Sequence, residues 1–100
     1  MIHVVATITA KPGQREAVLE LFRANVPAVL AEEGCIEYGP AIDAGGMGTP
    51  LGADTFMVIE KWASLDALKA HAASPHMVAY GAASREMIAA RLVNVLTSAF

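Results

Sequence analysis

The spacing of hydrophobic residues changes along this chain from a period of two to a helical period and back, and this restricts the possible folds more than any other feature. In residues 2–10 the apolar residues Val4, Ala6 and Ile8 fall on one face of an extended segment, a pattern typical of a strand. From residue 14 to about residue 33 apolar residues recur at helical spacing. The chain is therefore predicted to begin with a strand and a long helix.

The first predicted helix contains a proline. Its apolar stripe includes Phe22, Asn25 and Val29, and Gly34 is well placed to end it. Pro27 lies inside this stretch and cannot donate a backbone hydrogen bond. We therefore predict that the helix is kinked or split near Asn25.

The rest of the chain repeats the same two patterns. Pro40 cannot donate to a strand ladder, so its strand should lie at an edge or carry a bulge. Ser64 is a good N-cap, and Ser74 followed by Pro75 indicates a second helix start soon afterwards. The elements predicted after the first helix are a strand at 35–43, a glycine-rich loop at 44–54, a strand at 55–62, helices at 65–73 and from 75, and a strand at 92–97.

The order β-α-β-β-α-β predicts an α+β fold, a ferredoxin-like sandwich in which helices cover one face of an antiparallel sheet. The other face would be apolar and uncovered. Hydrophobic residues make up 55% of the chain, against roughly 45–50% in average domains. No apolar run approaches the roughly 18 residues that a membrane span needs. We therefore expect one domain over residues 1–100, with its open face against a second copy.

Charge and cysteine content narrow the function further. Seven basic and ten acidic residues give a net charge of −3 without any cluster of Lys or Arg, which argues against a nucleic-acid ligand. Cys35 is the only cysteine and suits a reducing compartment. The first residues lack the basic leader of a secretion signal. The expected location is the cytoplasm.

A carboxylate, an indole and two imidazoles lie within residues 60–76, among segments that otherwise form core. Burying such groups unpaired costs about 1–3 kcal/mol each, so the pattern predicts a pocket. Glu60 shares a strand face with Trp62, where burial would raise its pKa unless a cation or several donors met it. A structural carboxylate that caps a nearby backbone or pairs with Arg85 or Lys69 is an equally good interpretation.

The histidines are the candidates for proton transfer. His71 follows Leu68 by three positions, on or near the helix face turned to the sheet, where it could act as a general acid or base. The alternative is a hydrogen-bonded core histidine, which the residues alone favour. His76 is expected to be exposed or locally bonded. The two histidines lie five apart across a helix break, not at the i, i+4 spacing of a helical zinc pair, so no metal site is predicted.

Aromatic residues supply candidate walls for the pocket. As single residues they are more often core than ligand contacts. An amide in the first helix could orient a ligand carbonyl or satisfy backbone groups that the proline releases. The candidates are Tyr38, Phe56, Trp62 and Tyr80 among the aromatic residues, and Asn25 as the amide.

Three motifs, taken together, resemble the antibiotic biosynthesis monooxygenase domain family. The resemblance runs nearly end to end and is more specific for the fold than for the reaction. The motifs are the stretch Glu32-Glu33-Gly34-Cys35-Ile36-Glu37-Tyr38, the strand end Glu60-Lys61-Trp62, and Ala67-Leu68-Lys69-Ala70-His71 leading to Ser74-Pro75-His76.

The resemblance implies a homodimer whose sheets form a shared α+β barrel, with a pocket between sheet and helices in each subunit. It also implies a quinol monooxygenase-like reaction without flavin, haem or metal, in which a small phenol or hydroquinone is deprotonated and its anion reacts with dioxygen. On this chain the implied catalytic residues are His71, Trp62 and Glu60, and the implied substrate contacts are Asn25, Tyr38, Tyr80 and Phe56.

Two other classes of function use the same pocket. A cofactor-free isomerase or lyase acting on a small carbonyl compound would employ the same histidine and glutamate without oxygen. A non-catalytic dimer that binds small aromatic compounds would keep the pocket and turn nothing over.

Overall fold

A four-stranded antiparallel sheet carries the helices on one of its faces, which confirms the predicted ferredoxin-like order. The computed structural model describes residues 1–100. The second helical region is broken in two, as predicted. The elements are β1 (Ile2–Ala10), α1 (Arg15–Leu30), β2 (Cys35–Ala41), β3 (Thr55–Trp62), α2 (Leu65–Ala72), α3 (Pro75–Ser84), a 3₁₀ turn (Arg85–Met87) and β4 (Ile88–Thr97).

The strand order β2-β3-β1-β4 places the first and third strands in the middle of the sheet. In β1 every second residue is buried, and the same alternation runs along β3. The pairing sets Val4 opposite Glu60 on one side and opposite Val95 on the other. The period-two pattern therefore turns one face of both central strands toward the helices.

The core lies between α1 and this face of the sheet. Phe22 on α1 stacks on Tyr38 with ring centroids 5.2 Å apart, and meets Phe56 edge-on at 5.9 Å. Val18 and Val29, on the same helix, have no exposed surface. Fully burying side chains of this kind stabilises the fold by roughly 1.5–3 kcal/mol each.

The first helix runs unbroken through Pro27, so the prediction of a split near Asn25 is wrong. Proline in a helix interior costs about 3 kcal/mol or more. Burial of the apolar stripe on both sides of Pro27, including Phe22 and Val29, is large enough to offset that cost. The helix ends at Leu30, three residues before the predicted end.

The second strand lies at the edge of the sheet, as Pro40 predicts. It also carries a bulge, because the pairing register shifts between Cys35 and Glu37. The intervening Ile36 is 54% exposed, whereas Tyr38 is buried. The two side chains therefore do not share a face, since a bulge turns the extra residue away.

The last third of the chain differs from its prediction in the start of the last strand. Helix α3 continues through Gly81 to Ser84, whose hydroxyl donates a 2.9 Å hydrogen bond to the carbonyl of Tyr80. A 3₁₀ turn at Arg85–Met87 follows the helix, and β4 begins at Ile88, four residues before the strand start predicted at Leu92.

The sheet face opposite the helices is uncovered. Leu92 and Leu96 of β4 pair with Thr7 and His3 of β1, and all four side chains point away from the helices. Both leucines are exposed. None of the helices has the length and hydropathy to cross a membrane.

Candidate active site

A cavity of about 980 Å³ lies between the sheet and the last two helices. Sixteen of its 23 lining residues are hydrophobic, so it suits a ligand with a large apolar surface. The side chains that bring hydroxyl, carboxylate, imidazole or cationic groups to its wall are Tyr38, Glu60, Lys69, His71, Tyr80, Ser84, Arg85 and Arg91.

His71 presents one ring nitrogen to this cavity. Helix α2 begins at Ser64, whose hydroxyl accepts the Ala67 N–H at 3.1 Å, and this start sets the face on which His71 lies. The Nδ1 atom is 2.7 Å from the Oε2 atom of Glu32. Every fully buried side-chain nitrogen has a partner, and Nε2 has none, so Nε2 is not fully buried. Since His71 lines the cavity and its Nδ1 is engaged by Glu32, we interpret Nε2 as the nitrogen that faces that space.

Glu32 and His76 complete a cluster that sequence reasoning missed. The Oε2 atom of Glu32 is also 2.8 Å from the Nε2 atom of His76. The Nε2 atom of His76 is also 3.2 Å from the Ser74 hydroxyl. His76 is therefore locally bonded, as expected, but it contacts Glu32 as well. The Ser74 hydroxyl also donates to the carbonyl of His71 at 2.7 Å.

The spacing of the two histidines along the sequence does not reveal this cluster, which the fold assembles. The ligand atoms of Glu32, His71 and His76 all lie within 4.8 Å of one another, because the carboxylate comes from the turn after α1. Two imidazoles and a carboxylate are a ligand set that transition metals use. The sequence signal for this contact is the Glu-Glu-Gly turn, and that turn does not indicate a histidine partner unless the fold is known.

Glu60 and Trp62 form a buried pair two residues apart on β3. The indole Nε1–H of Trp62 donates to Glu60 Oε1 at 2.9 Å. Burial raises the pKa of Glu60, while the Trp62 hydrogen bond and nearby His71 and Arg91 oppose that rise. Glu60 forms no ion pair with Arg85 or Lys69, the two cations predicted as its possible structural partners.

Trp62 has no exposed surface and does not line the cavity. Its ring lies 4.6 Å from the His71 ring, centroid to centroid, at an angle of 39°. The indole therefore contacts the imidazole of His71 and the carboxylate of Glu60. A ligand in the cavity cannot stack on the indole without a rearrangement of the protein. We interpret Trp62 as a support for those two side chains.

The two tyrosines are walls of the cavity that stay protonated. Burial raises the pKa of Tyr38, with the neighbouring Glu60 adding to the effect, and burial also raises the pKa of Tyr80. Tyr38 meets His71 edge-on at 5.4 Å, and Tyr80 meets Phe22 edge-on at 5.8 Å. Both hydroxyls are therefore donors, not bases, across the physiological range.

Phe56 and Asn25 lie off the cavity wall. Phe56 is wholly buried beneath Phe22, and the Asn25 amide donates to the sulfur of Met77 at 3.3 Å. Of the seven residues singled out in the sequence, the structure places four on the wall: Tyr38, Glu60, His71 and Tyr80.

Three cations on the wall were not predicted to contact a ligand. None of them has a carboxylate within 4.0 Å, because the ion pairs of the protein involve other residues. They give the cavity a positive character, although the chain as a whole is acidic. The three are Lys69, Arg85 and Arg91.

We expect the Glu60→Gln variant to have a higher free energy of unfolding than the wild type at pH 7, and so to be more stable. Glutamine keeps an oxygen acceptor for Trp62 and removes a charge from a buried position. Because the pKa of the carboxyl is raised in the folded state, the group stabilises the fold at pH values below its unfolded-state pKa of 4.5. That stabilisation is lost as the pH rises through the folded-state pKa. The advantage of the variant should therefore be present at pH 7 and fade near pH 4.

Urea unfolding at both pH values and one protein concentration measures this difference. Glu20→Gln, an exposed change on α1, is the matched control and should shift stability little at either pH. A Glu60→Gln variant less stable than the wild type at pH 7 would show that the ionised carboxylate is stabilising.

Comparison with known proteins finds relatives that are described as monooxygenases. The profile of a family described as antibiotic biosynthesis monooxygenase matches residues 1–83. The chain is 40% identical over 100 residues, covering 96% of each protein, to "Probable quinol monooxygenase YgiN" of Escherichia coli strain K12. Two solved structures, each 28% identical, are similar in fold. PA3566 from Pseudomonas aeruginosa superposes with a TM-score of 0.83 over 97% of this chain and 92% of that one. Rv0793 from Mycobacterium tuberculosis superposes with a TM-score of 0.81 over 97% and 93%.

Proposed function

The chain belongs to the antibiotic biosynthesis monooxygenase family, and on that premise we propose that it oxidises a small phenol or hydroquinone with dioxygen, without a cofactor. The observation that carries the proposal is the free Nε2 atom of His71 facing an apolar cavity of about 980 Å³. The similarity to a protein named a quinol monooxygenase supports the choice of substrate class.

In the proposed first step, His71 Nε2 accepts the proton of a phenolic hydroxyl. An ordinary phenol has a pKa of about 10 and an ordinary imidazole about 6.5, so transfer costs about 5 kcal/mol unless the site stabilises the anion. The unpaired cations Lys69, Arg85 and Arg91 on the wall support such stabilisation. The hydroxyl of Tyr80 can donate to a substrate oxygen, whereas that of Tyr38 would first have to leave the sulfur of Met77, to which it donates at 3.9 Å.

In the second step the electron-rich anion reduces dioxygen. For a hydroquinone the sum is one hydroquinone plus one dioxygen giving one hydroxyquinone plus one water. One oxygen atom enters the ring, the other leaves as water, and all four electrons come from the substrate. The proton on His71 returns to the departing oxygen, which restores the base.

We further propose that the protein works as a homodimer that buries the open sheet face. Leu92 and Leu96 give that face an exposed apolar character that a second copy would cover. The single partly exposed thiol of Cys35 is consistent with the reducing cytoplasm as the proposed compartment.

Oxygen consumption tests the proposed reaction. Chelator-treated protein and a panel of substituted hydroquinones are placed in an oxygen electrode, with protein-free samples to subtract autoxidation. The expected result is one dioxygen consumed per hydroxyquinone formed, with one labelled atom in the product when the gas is ¹⁸O₂. No consumption above autoxidation across the panel would contradict the proposal. Turnover of a carbonyl compound under nitrogen would instead indicate an isomerase or lyase.

A further inference from the structure

A single carboxylate oxygen lies between two imidazoles, and one of these, that of His71, lines the cavity. Glu32 Oε2 is 2.7 Å from His71 Nδ1 and 2.8 Å from His76 Nε2. We propose that Glu32 is a positioning residue, which holds His71 in the tautomer that carries its hydrogen on Nδ1 and leaves Nε2 free to accept a proton. The inference rests on the proposed function of His71 as the base.

The tautomer follows from hydrogen-bond chemistry. A neutral imidazole has one N–H donor and one acceptor nitrogen, and an ionised carboxylate only accepts. At 2.7 Å from the carboxylate oxygen, Nδ1 of His71 must therefore carry the hydrogen. The acceptor lone pair is then on Nε2, the nitrogen that faces the cavity. Without such a partner a histidine would divide its population between two tautomers, one of which cannot accept a proton from the ligand side.

The carboxylate also favours the reaction after the proton has moved. When His71 takes a proton on Nε2 its ring becomes a cation, and the negative charge of Glu32 is already in contact with Nδ1. The Glu32 side chain is only 14% exposed, so water screens this attraction weakly. The same arrangement orients the base in serine hydrolases, where removing the charge of the orienting carboxylate lowers kcat by about 10⁴-fold.

His76 and Ser74 keep the carboxylate in place. Glu32 lies in the turn after α1, His71 near the end of α2, and His76 in the first turn of α3, so the cluster ties three elements together. His76 bonds the same oxygen as His71, which restricts rotation of the Glu32 side chain. The Ser74 hydroxyl bonds the carbonyl of His71 and fixes the backbone of that residue. None of these three groups needs to touch the substrate.

A divalent metal ion is the competing use of the same atoms, since all three ligand atoms lie within 4.8 Å of one another. The contacts of 2.7 and 2.8 Å are those of charge-assisted hydrogen bonds, in which a hydrogen already occupies the space between nitrogen and oxygen. A metal would have to displace both hydrogens and bind through His71 Nδ1. The hydrogen-bonded arrangement accounts for the contacts directly, and metal binding is left as an outcome of the test.

The experiment compares Glu32→Gln with Glu33→Gln, which makes the same change of charge one residue away on an exposed side chain. The first readout needs no substrate. Long-range ¹H–¹⁵N spectra of the imidazole rings should show the Nδ1–H tautomer for His71 in the wild type and in Glu33→Gln. A shift toward the Nε2–H tautomer is expected in Glu32→Gln, because the amide can donate to Nδ1. A wild-type His71 in the Nε2–H tautomer would overturn the inference.

The second readout is turnover. We expect Glu32→Gln to lower kcat by about 10²–10⁴-fold with KM changed less than about threefold, since the residue orients the base without binding substrate. Glu33→Gln should match the wild type. If the wild type oxidises a quinol and Glu32→Gln retains the wild-type kcat, the positioning role is wrong.

If no quinol is turned over but the tautomers are as expected, the proposed function fails while the positioning of His71 stands. One equivalent of Zn²⁺ retained by the untreated protein, or activity that Zn²⁺ restores after chelation, would overturn the inference in favour of a metal centre.

Discussion

Replacing His71 with glutamine is expected to lower kcat for quinol oxidation by about 10²–10⁴-fold, the usual contribution of a positioned general base. The amide cannot accept the phenolic proton at neutral pH, whereas its N–H can still donate to Glu32. KM should change by only a few-fold, because Tyr38, Tyr80 and the apolar wall remain in place. Steady-state rates with oxygen detection measure both constants.

Loss of folding must be separated from loss of the base. His71 is 4% exposed, and glutamine is smaller than imidazole, so some loss of stability is expected from poorer contact with Trp62. Circular dichroism melting gives the temperature range in which the variant is folded, and rates are compared only there. His3→Gln, on the open face of β1 far from the cavity wall, is the matched control and should keep the wild-type kcat. A folded His71→Gln variant with wild-type kcat would show that His71 is not the base.

Replacing Gly34 with alanine is expected to lower the free energy of unfolding by about 2–5 kcal/mol, combining a left-handed backbone with an overpacked contact. Gly34 has φ +82°, and a Cβ there would lie 2.6 Å from the Cβ of Ala67 on α2. The carbonyl of Gly34 also accepts the Ala63 N–H at 2.8 Å, so the turn cannot move away freely. A loss of this size is a large share of the roughly 5–15 kcal/mol that stabilises an ordinary domain.

A second glycine provides the control for this variant. Gly45 has φ +80° but no atom within 4 Å of an added Cβ, so Gly45→Ala should lose only the backbone part, about 1–2 kcal/mol. The difference between the two variants in urea unfolding isolates the contact with Ala67. Adding Ala67→Gly to Gly34→Ala should restore part of the stability. Equal losses at Gly34 and Gly45 would contradict the close approach.

The close approach at Gly34 also matters for the site. The turn that contains Gly34 carries Glu32, and α2 carries His71 four residues beyond Ala67. Pushing the turn off the helix would lengthen the 2.7 Å contact between Glu32 and His71. A side chain at position 34 should therefore lower kcat as well as stability.

The sequence predicts the sheet well because burial alternates cleanly in the central strands. Val4, Ala6 and Ile8 repeat every second residue, and Ser64 provides a cap whose chemistry is local. These signals need no knowledge of the rest of the chain. The sequence leaves open a split of α1 at Pro27, which is not observed, because the cost of a proline is local, whereas the burial that offsets it is tertiary.

The site was harder to predict because its polar contacts join distant parts of the chain. Glu32 meets His71 across 39 residues and His76 across 44, and nothing in the spacing of those residues indicates it. The role of Trp62 beside the substrate is implied by the family resemblance alone, whereas its burial depends on how α2 lies over the sheet. The bulge at Ile36 likewise follows from pairing with β3, which the residues of β2 do not reveal.

The central claim is that His71 Nε2 takes a proton from a phenol bound in the cavity. Binding of 4-nitrophenol, which dioxygen does not oxidise readily and whose anion has its own absorption band, measures that transfer directly. In buffer below the pKa of the free phenol, we expect the phenolate band to appear when the wild type binds the ligand and to be absent when His71→Gln binds it. A bound phenol that stays neutral on the wild type, or a phenolate band of equal strength on both proteins, would contradict the claim.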